Sequence, residues 1–558
     1  MGRKIFDFLY KETGTLNQAA LLLGLFAFLS QVLAFLRDRL LAHIFGASLE
    51  LDIYYAAFRI PDFIFVTVAS VVSLSVLIPF IIEKETQGPG ALRAFINEIF
   101  SFFSILIVSI SGLAFFLMPI IAALLFKGFS SSALTDVVLI SRILLLSPII
   151  LGFSNLFGSL TQAYNRFTIY ALAPLLYNAG IIAGIIFLAE KLGIIGVAVG
   201  VIFGASLHAL IQVPFVITSG LFPKISLRLN LASIKKVVSI SFPRTLTLSM
   251  THLATIFLVS AASLMVAGSI SVFSFSFNLQ SVPLSIIGVS YSLAAFPTLS
   301  RRFKENNISD FIKQMTASAS LIIFWSLPLT ALFIVLRAQI VRVILGSGLF
   351  DWDATRLTAA ALALFILSSV FQSLALLFMR GFYSAGFTRK PFFINLISAV
   401  VMIAGTWGLV KLFYVSSEFS YFIGTLLKVE DLSGTVVLML PLGFSIAATV
   451  NGLLHWVAFE MEFRGFSRGV IRTLFHCLGT SVIMGAVAYL GLNIFAPYLD
   501  TASLVGIFLQ GAIAGFLAIM AGILILVLLK NKELSEIWNA IHQRFWKTKV
   551  IATDSEIV

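Results

Sequence analysis

Apolar residues fall into runs of roughly 20 to 30, long enough to cross a hydrocarbon core of about 30 Å as helices, and short polar, basic or glycine-containing breaks separate them. The pattern predicts fourteen spans: 17–43, 52–82, 94–124, 134–163, 168–189, 193–219, 237–265, 270–299, 310–336, 355–384, 391–413, 435–460, 470–495 and 503–529. The period-two alternation of a membrane barrel is absent. The expected fold class is therefore an all-α polytopic membrane protein. The polar start MGRKIFDFLYKETG leads into a full-length span without a small-residue cleavage site, so no cleavable signal peptide is expected.

A repeat lies within these runs. DIYYAAFRIPDFIFVTVASVVSLSVLIP, beginning at Asp52, resembles SVFSFSFNLQSVPLSIIGVSYSLAAFP, beginning at Ser271. Both copies have an aromatic-rich start, then a polar residue (Arg59 or Asn278), a proline (Pro61 or Pro283) and a run of small residues. Six spans separate the copies, an even number, so they share one orientation and their pseudo-twofold axis runs along the membrane normal. This gives an N-terminal lobe at 1–220, a C-terminal lobe at 221–465, two further spans at 466–530 and a basic tail at 531–558. The tail reads as an amphipathic interfacial helix.

Composition agrees with the pattern: of 558 residues, 59% are hydrophobic and 11% charged, and the mean hydropathy is +1.05. The net charge of +12 is distributed by side. With the N-terminus inside, the cytoplasmic segments collect most of the Lys and Arg, which places both termini in the cytoplasm. The basic balance thus reports topology and anionic lipid, not nucleic acid. A single cysteine, Cys477, excludes an internal disulfide and a multi-thiolate metal site.

The charges inside the spans carry the candidate chemistry. Arg37, Asp38 and Arg39 interrupt the first run, while Asp52, Arg59 and Pro61 fall in the early turns of the second. A charge at bilayer depth costs about 2.5–3.5 kcal/mol on insertion scales, so such groups face a bundle interior or a wet cavity and pair there. The stretch predicts a polar chamber for an anionic, membrane-associated cargo. Arg37 and Arg59 are the ligand candidates, because guanidinium stays charged when buried and binds phosphate oxygens bidentately. Asp38 and Asp52 read either as cavity acids or as ion-pair partners holding helices together. Asn278 is the neutral counterpart of Arg59, and Arg244, beside Pro243, reads as an edge anchor or a cavity cation. Pro61 and Pro283, at matching places, read as hinges. Asp62 reads as an anchor of a turn around Pro61, Arg142 as a partner of Asp136 or of a neighbouring helix, and Asp351 with Asp353 as a helix cap. No phosphate-cradling loop, nucleophile elbow or HExxH occurs, and no two histidines have metal-ligand spacing. No catalytic residue, metal or cofactor is therefore expected, and work would draw on the membrane potential or a monovalent ion.

Several stretches resemble the MurJ/MviN lipid II flippases of the multidrug/oligosaccharidyl-lipid/polysaccharide exporter superfamily. They are RDRLLAHIFGASLELDIYYAAFRIPD, QAYNRFTIYALAPLLYNAGIIAG, VPLSIIGVSYSLAAFPTLSRRF and GLFDWDATRLTAAALALFILSSVFQSLALLFMRGFYSAGFTRKP. The resemblance implies two six-helix lobes around a cationic cavity, with the last two helices forming a lipid-tail groove. The implied cargo is undecaprenyl-pyrophosphate-linked peptidoglycan precursor, moved from the inner to the outer leaflet of the bacterial cytoplasmic membrane by alternating access, in cell-wall biosynthesis. By the same resemblance Arg37 matches a cavity arginine, Asp52 a functionally important acid and Arg59 a basic position. Three cavity positions that are arginine in well-known members are here Gln31, Phe65 and Asn278. The expected partners are the lipid-linked glycan, membrane lipids and cell-wall synthesis proteins, around a monomer. Export of another polyprenyl-linked oligosaccharide, cation-coupled drug efflux, an enzyme acting on lipid-linked sugars and a non-transporting envelope scaffold stay open beside this reading.

Overall fold

The computed structural model describes residues 16–69, 74–226, 230–501 and 503–545; the side chains of 16–21, 74–76, 240, 243, 244, 247, 248 and 540–545 lie outside the described set. Each predicted span coincides with one helix or with consecutive helices, and no strand occurs among the described residues. Among those residues, ten helices or merged helices are long and apolar enough to cross a membrane, or eleven when Trp352–Ile366 and Ser369–Ser384, bent by 42°, count as one. The remaining predicted spans correspond to Leu16–Phe45, to Leu49–Ala69 followed by Leu74–Thr86, and to Leu231–Ala262. The count falls short of fourteen at these helices. The first two carry the intramembrane charges, and the third is rich in Ser and Thr and carries Lys235 and Lys236 near its start.

The chain forms two compact units. The first gathers the chain up to Leu279 with Val341–Leu364 and Thr388–Ala447. Its tightest helix pair, Phe167–Phe187 against Ile194–Leu210, meets through glycines spaced four apart. A Cβ on Gly180 would lie 2.3 Å from the Cα of Gly204, and one on Gly184 would lie 2.4 Å from the Cα of Gly200. Small residues at this spacing let backbones approach where lipid offers no hydrophobic drive to associate. Phe95, Ile99 and Phe103 of Pro89–Leu125 pack with Leu156, Leu160 and Phe215 as the apolar core, whereas Leu113, Phe116 and Ile120 of the same helix are exposed. Exposed apolar faces of this kind suit a lipid solvent.

In the second unit, Gln280–Ile340, Phe365–Phe387 and the chain from Ala448 onward pack together. Phe311, Phe378, Phe459 and Phe466 interlock at its core, with ring centroids 4.8 Å apart for Phe459 and Phe463 and 5.2 Å for Phe459 and Phe466. Pro283 ends the helix Ser269–Pro283, and the next six residues, Leu284–Val289, form a π-helical turn. There a Cβ on Gly288 would lie 2.8 Å from Ser373 Oγ. A proline next to a π turn is a local break in the hydrogen-bond ladder. The helix Lys532–Phe545 lays Leu534 and Ile537 on the core and leaves Trp538 67% exposed.

Outside the spans, the Asp431 carboxylate of the first unit accepts two bonds from Arg356, at 2.7 and 2.5 Å. Arg356 also donates to the Lys428 carbonyl at 2.7 Å. The hydrogen bonds from Arg356 hold the Asp431 carboxyl below its ordinary range. Because its folded pKa is depressed, the stabilisation is present above the unfolded value of about 3.9 and is lost as pH falls through the folded value. Asp431→Asn is expected to melt slightly below the wild type at neutral pH, and the two curves should converge under acid or in high salt. A gap that persists at low pH in thermal melts would contradict this.

Candidate functional site

The first unit brings the intramembrane charges of Leu16–Phe45 and Leu49–Ala69 together with residues far away in sequence. Arg37 donates through Nε and Nη2 to Asp38 Oδ1, at 2.9 and 2.7 Å. Its Nη1 reaches Asn178 Oδ1 at 3.2 Å. The other carboxylate oxygen of Asp38 accepts from Asn278 Nδ2 at 3.0 Å. Asp38 thus serves two helices at once, and it is buried while the Arg37 side chain keeps 22% of its surface exposed. Asn178 also donates to Ser30 Oγ at 3.3 Å and to the Pro174 carbonyl at 3.2 Å. That last bond runs from a side chain to the carbonyl four residues back in its own helix, which turns the Asn178 amide inward along the helix.

Arg59 sits differently. Its Nη2 donates to Ser274 Oγ at 3.1 Å. Its Nε is buried without a partner among the described residues, as is the Tyr55 hydroxyl one turn earlier. No carboxylate bridges Arg59 among the described ion pairs. Asp62 instead faces His252, with Oδ2 and Nδ1 3.7 Å apart. Pro61 lies in the interior of the continuous helix Leu49–Ala69, so the expected turn at Asp62 is absent: the missing proline N–H frees the Ala57 carbonyl, which accepts from Ser141 Oγ at 3.1 Å instead.

Asp52 belongs to a different arrangement. It is 2% exposed. Its Oδ2 accepts from the Gly268 amide at 2.8 Å, and its Oδ1 accepts from the Ser271 amide and hydroxyl at 2.7 and 2.6 Å. These donors open the helix Ser269–Pro283, so Asp52 caps that helix and does not look into open space. A carboxylate satisfies both the stranded N–H groups and the positive end of the helix dipole. Gly268, at φ +91°, allows the approach, because a Cβ there would lie 2.3 Å from the Ala47 carbonyl oxygen.

Arg39 caps the Val343 and Ile344 carbonyls at 2.6 and 3.3 Å. Of the two expected partners of Arg142 it is the neighbouring helix Pro89–Leu125 that holds it: Arg142 donates to the Phe115 carbonyl at 3.1 Å and lies over the Phe115 ring. Asp351 caps its helix through the Ala354 amide at 2.8 Å, as expected. The side chain of Arg244 lies outside the described residues. Sequence reasoning missed Ser274 and His252. The signal for Ser274 was the repeat itself: Arg59 meets Ser274 and Asp52 meets Ser271, so each residue of the first copy touches the matching region of the second. Contacts between equivalent positions are what a twofold axis produces.

Residues 41–510 match the family model described as lipid II flippase MurJ. The chain belongs to the MurJ lipid II flippase family. MurJ relatives include the probable lipid II flippase MurJ of Rickettsia prowazekii, 25% identical over 390 residues, covering 69% of this chain and 77% of the relative. The lipid II flippase MurJ of Burkholderia cenocepacia is 24% identical over 388 residues, covering 67% and 75%. Among solved structures, a lipid II flippase MurJ in an inward closed conformation superposes with a TM-score of 0.71 at 21% identity, over 93% of this chain and 99% of that one. An inward-facing MATE family multidrug resistance transporter of the MOP superfamily superposes with a TM-score of 0.64 at 15% identity, over 78% and 96%. These likenesses place a MurJ-type fold among transporters, and the long apolar helices make this MurJ-family chain a multi-pass membrane protein.

Proposed function

We propose that the chain flips lipid II, the undecaprenyl-pyrophosphate-linked peptidoglycan precursor, across the bacterial cytoplasmic membrane by alternating access, with both termini inside. The family match over residues 41–510 carries this reading. In it, the guanidinium groups of Arg37 and Arg59 hold the pyrophosphate, since a planar fork of donors fits phosphate oxygens. Arg59 is the better placed of the two, because its Nε has no partner to give up among the described residues. Arg37 would release Asp38 or bring it along, with Asn278 keeping Asp38 satisfied. Lobes at 1–220 and 221–465, hinges at Pro61 and Pro283, a tail groove at 466–530 and coupling to membrane potential or a monovalent ion belong to the same proposal.

The test is complementation of a flippase-depleted bacterium. The wild-type chain should restore growth, and Arg59→Ala should lower lipid II flipping at least tenfold with normal membrane abundance, as expected for loss of a charge-assisted bond of about 1.5–3 kcal/mol. A well-expressed chain that fails to rescue would overturn the reading. Rescue of another polyprenyl-glycan pathway instead would favour the second cargo class, which Gln31, Phe65 and Asn278 make worth testing.

A further inference from the structure

A cavity of about 750 Å³ is lined only by residues of the second unit and by none of the Arg37 and Arg59 cluster. It opens at one end of three spans, beside the first turns of Ile308–Val335 and Phe466–Phe495 and just past the end of Leu504–Leu528. Five Lys or Arg side chains line it against three carboxylates, leaving an excess of two positive charges. The carboxylates are already engaged: Asp310 by Lys313 and Asn307, Glu533 by Thr473, and Glu536 by Lys532. Arg302 pairs with Glu305 outside the lining, which lowers the local excess to one positive charge. Arg472 and Lys530 form no ion pair among the described residues, and both are exposed.

Lys530 adds an independent sign. It occupies the left-handed position, φ +49°, of the turn that ends Leu504–Leu528. Its amide bonds to Val527 and the Asn531 amide to Leu526, at 3.0 and 2.9 Å. Glycine normally fills this place, and any side chain there meets a steric penalty. A lysine held at such a site beside an uncompensated cavity points to work done by its ammonium group. Ile312 and Leu321, both half-buried, add apolar surface to the same lining, so the cavity offers cations and an apolar wall together.

We propose that this cavity binds the phosphate of an anionic phospholipid, with Arg472 and Lys530 at the phosphate and the glycerol and first acyl carbons against Ile312 and Leu321. A free phosphate would meet the same cations but leave the apolar wall unused. The site is separate from the proposed flipping site, and its failure would leave that reading intact.

The experiment is thermal melting of the purified full-length chain in mixed micelles containing phosphatidylglycerol, phosphatidylcholine, or phosphatidylcholine with sodium phosphate. Phosphatidylglycerol alone should raise the melting temperature. An R472Q/K530G variant should need roughly thirtyfold more of it, the loss expected for two cations removed from an anionic lipid surface. Lys530→Gly alone should melt no lower than the wild type in phosphatidylcholine, because glycine suits the turn, and this separates lost binding from lost fold. The proposal is overturned if phosphatidylglycerol stabilises the double variant at the wild-type dose, or if sodium phosphate reproduces the effect.

Discussion

Gly184→Leu is expected to prevent the chain from accumulating as a folded, monodisperse protein, whereas Gly408→Leu should be tolerated. A Cβ on Gly184 would stand 2.4 Å from the Gly200 Cα and 2.9 Å from both the Gly196 carbonyl oxygen and the Gly200 amide nitrogen. All of these atoms are backbone, so no side-chain rotamer can move aside, and the two helices must separate. Separation also breaks the neighbouring contact of Gly180 with Gly204, because the same rigid pair carries both. Overpacking costs about 1–3 kcal/mol where side chains can adjust, and a backbone clash repeated along a helix pair should exceed that range. A Cβ added to Gly408 would meet nothing within 4 Å among the described residues, so leucine there faces only the membrane. Size-exclusion profiles and thermal melts of both variants check this. Equal yields and melting temperatures would mean that the glycine seam does not hold these helices together.

The helices themselves were legible because an apolar run of bilayer length allows little else, and every run located a helix. Their interruptions were not. The span read as 134–163 is two helices that meet at Leu145, and the span read as 355–384 bends by 42° near Leu367 with no proline at the bend. A hydropathy pattern records which residues avoid water, and it keeps the same value when a helix kinks inside lipid. The site was half legible for a related reason. Arg37 and Asp38 are neighbours in sequence, so their bridge could be anticipated, but Asn178 and Asn278 lie 141 and 240 positions away from them. Helical periodicity tells which face a residue occupies and not which helix lies opposite. Asp52 shows the cost of that gap. A carboxylate in an apolar run looks the same in sequence whether it faces water or backbone amides.

Asp52→Ala is accordingly expected to destabilise the fold by about 3–5 kcal/mol, through two buried amides stranded at about 1–3 kcal/mol each and a lost charge at a helix N-terminus. The stranded groups would be the amides of Gly268 and Ser271, both on buried residues beside Asp52. Asp52→Asn should fall between alanine and the wild type. Its amide oxygen still accepts one bond, but its NH2 group meets a second donor. Ser271→Ala removes only one hydroxyl bond to the same carboxylate, so it should cost about 1 kcal/mol. In the double variant D52A/S271A the serine loss should vanish, since the hydroxyl has no carboxylate left to serve; such non-additivity marks groups in one network. Denaturant or thermal unfolding of the four variants measures all of this. A cavity acid would behave otherwise: Asp52→Asn would melt with the wild type and lose only transport, and Ser271→Ala would change neither. That pattern would return Asp52 from helix cap to transport residue. The expected one makes it the clasp through which the two repeat copies hold each other in register.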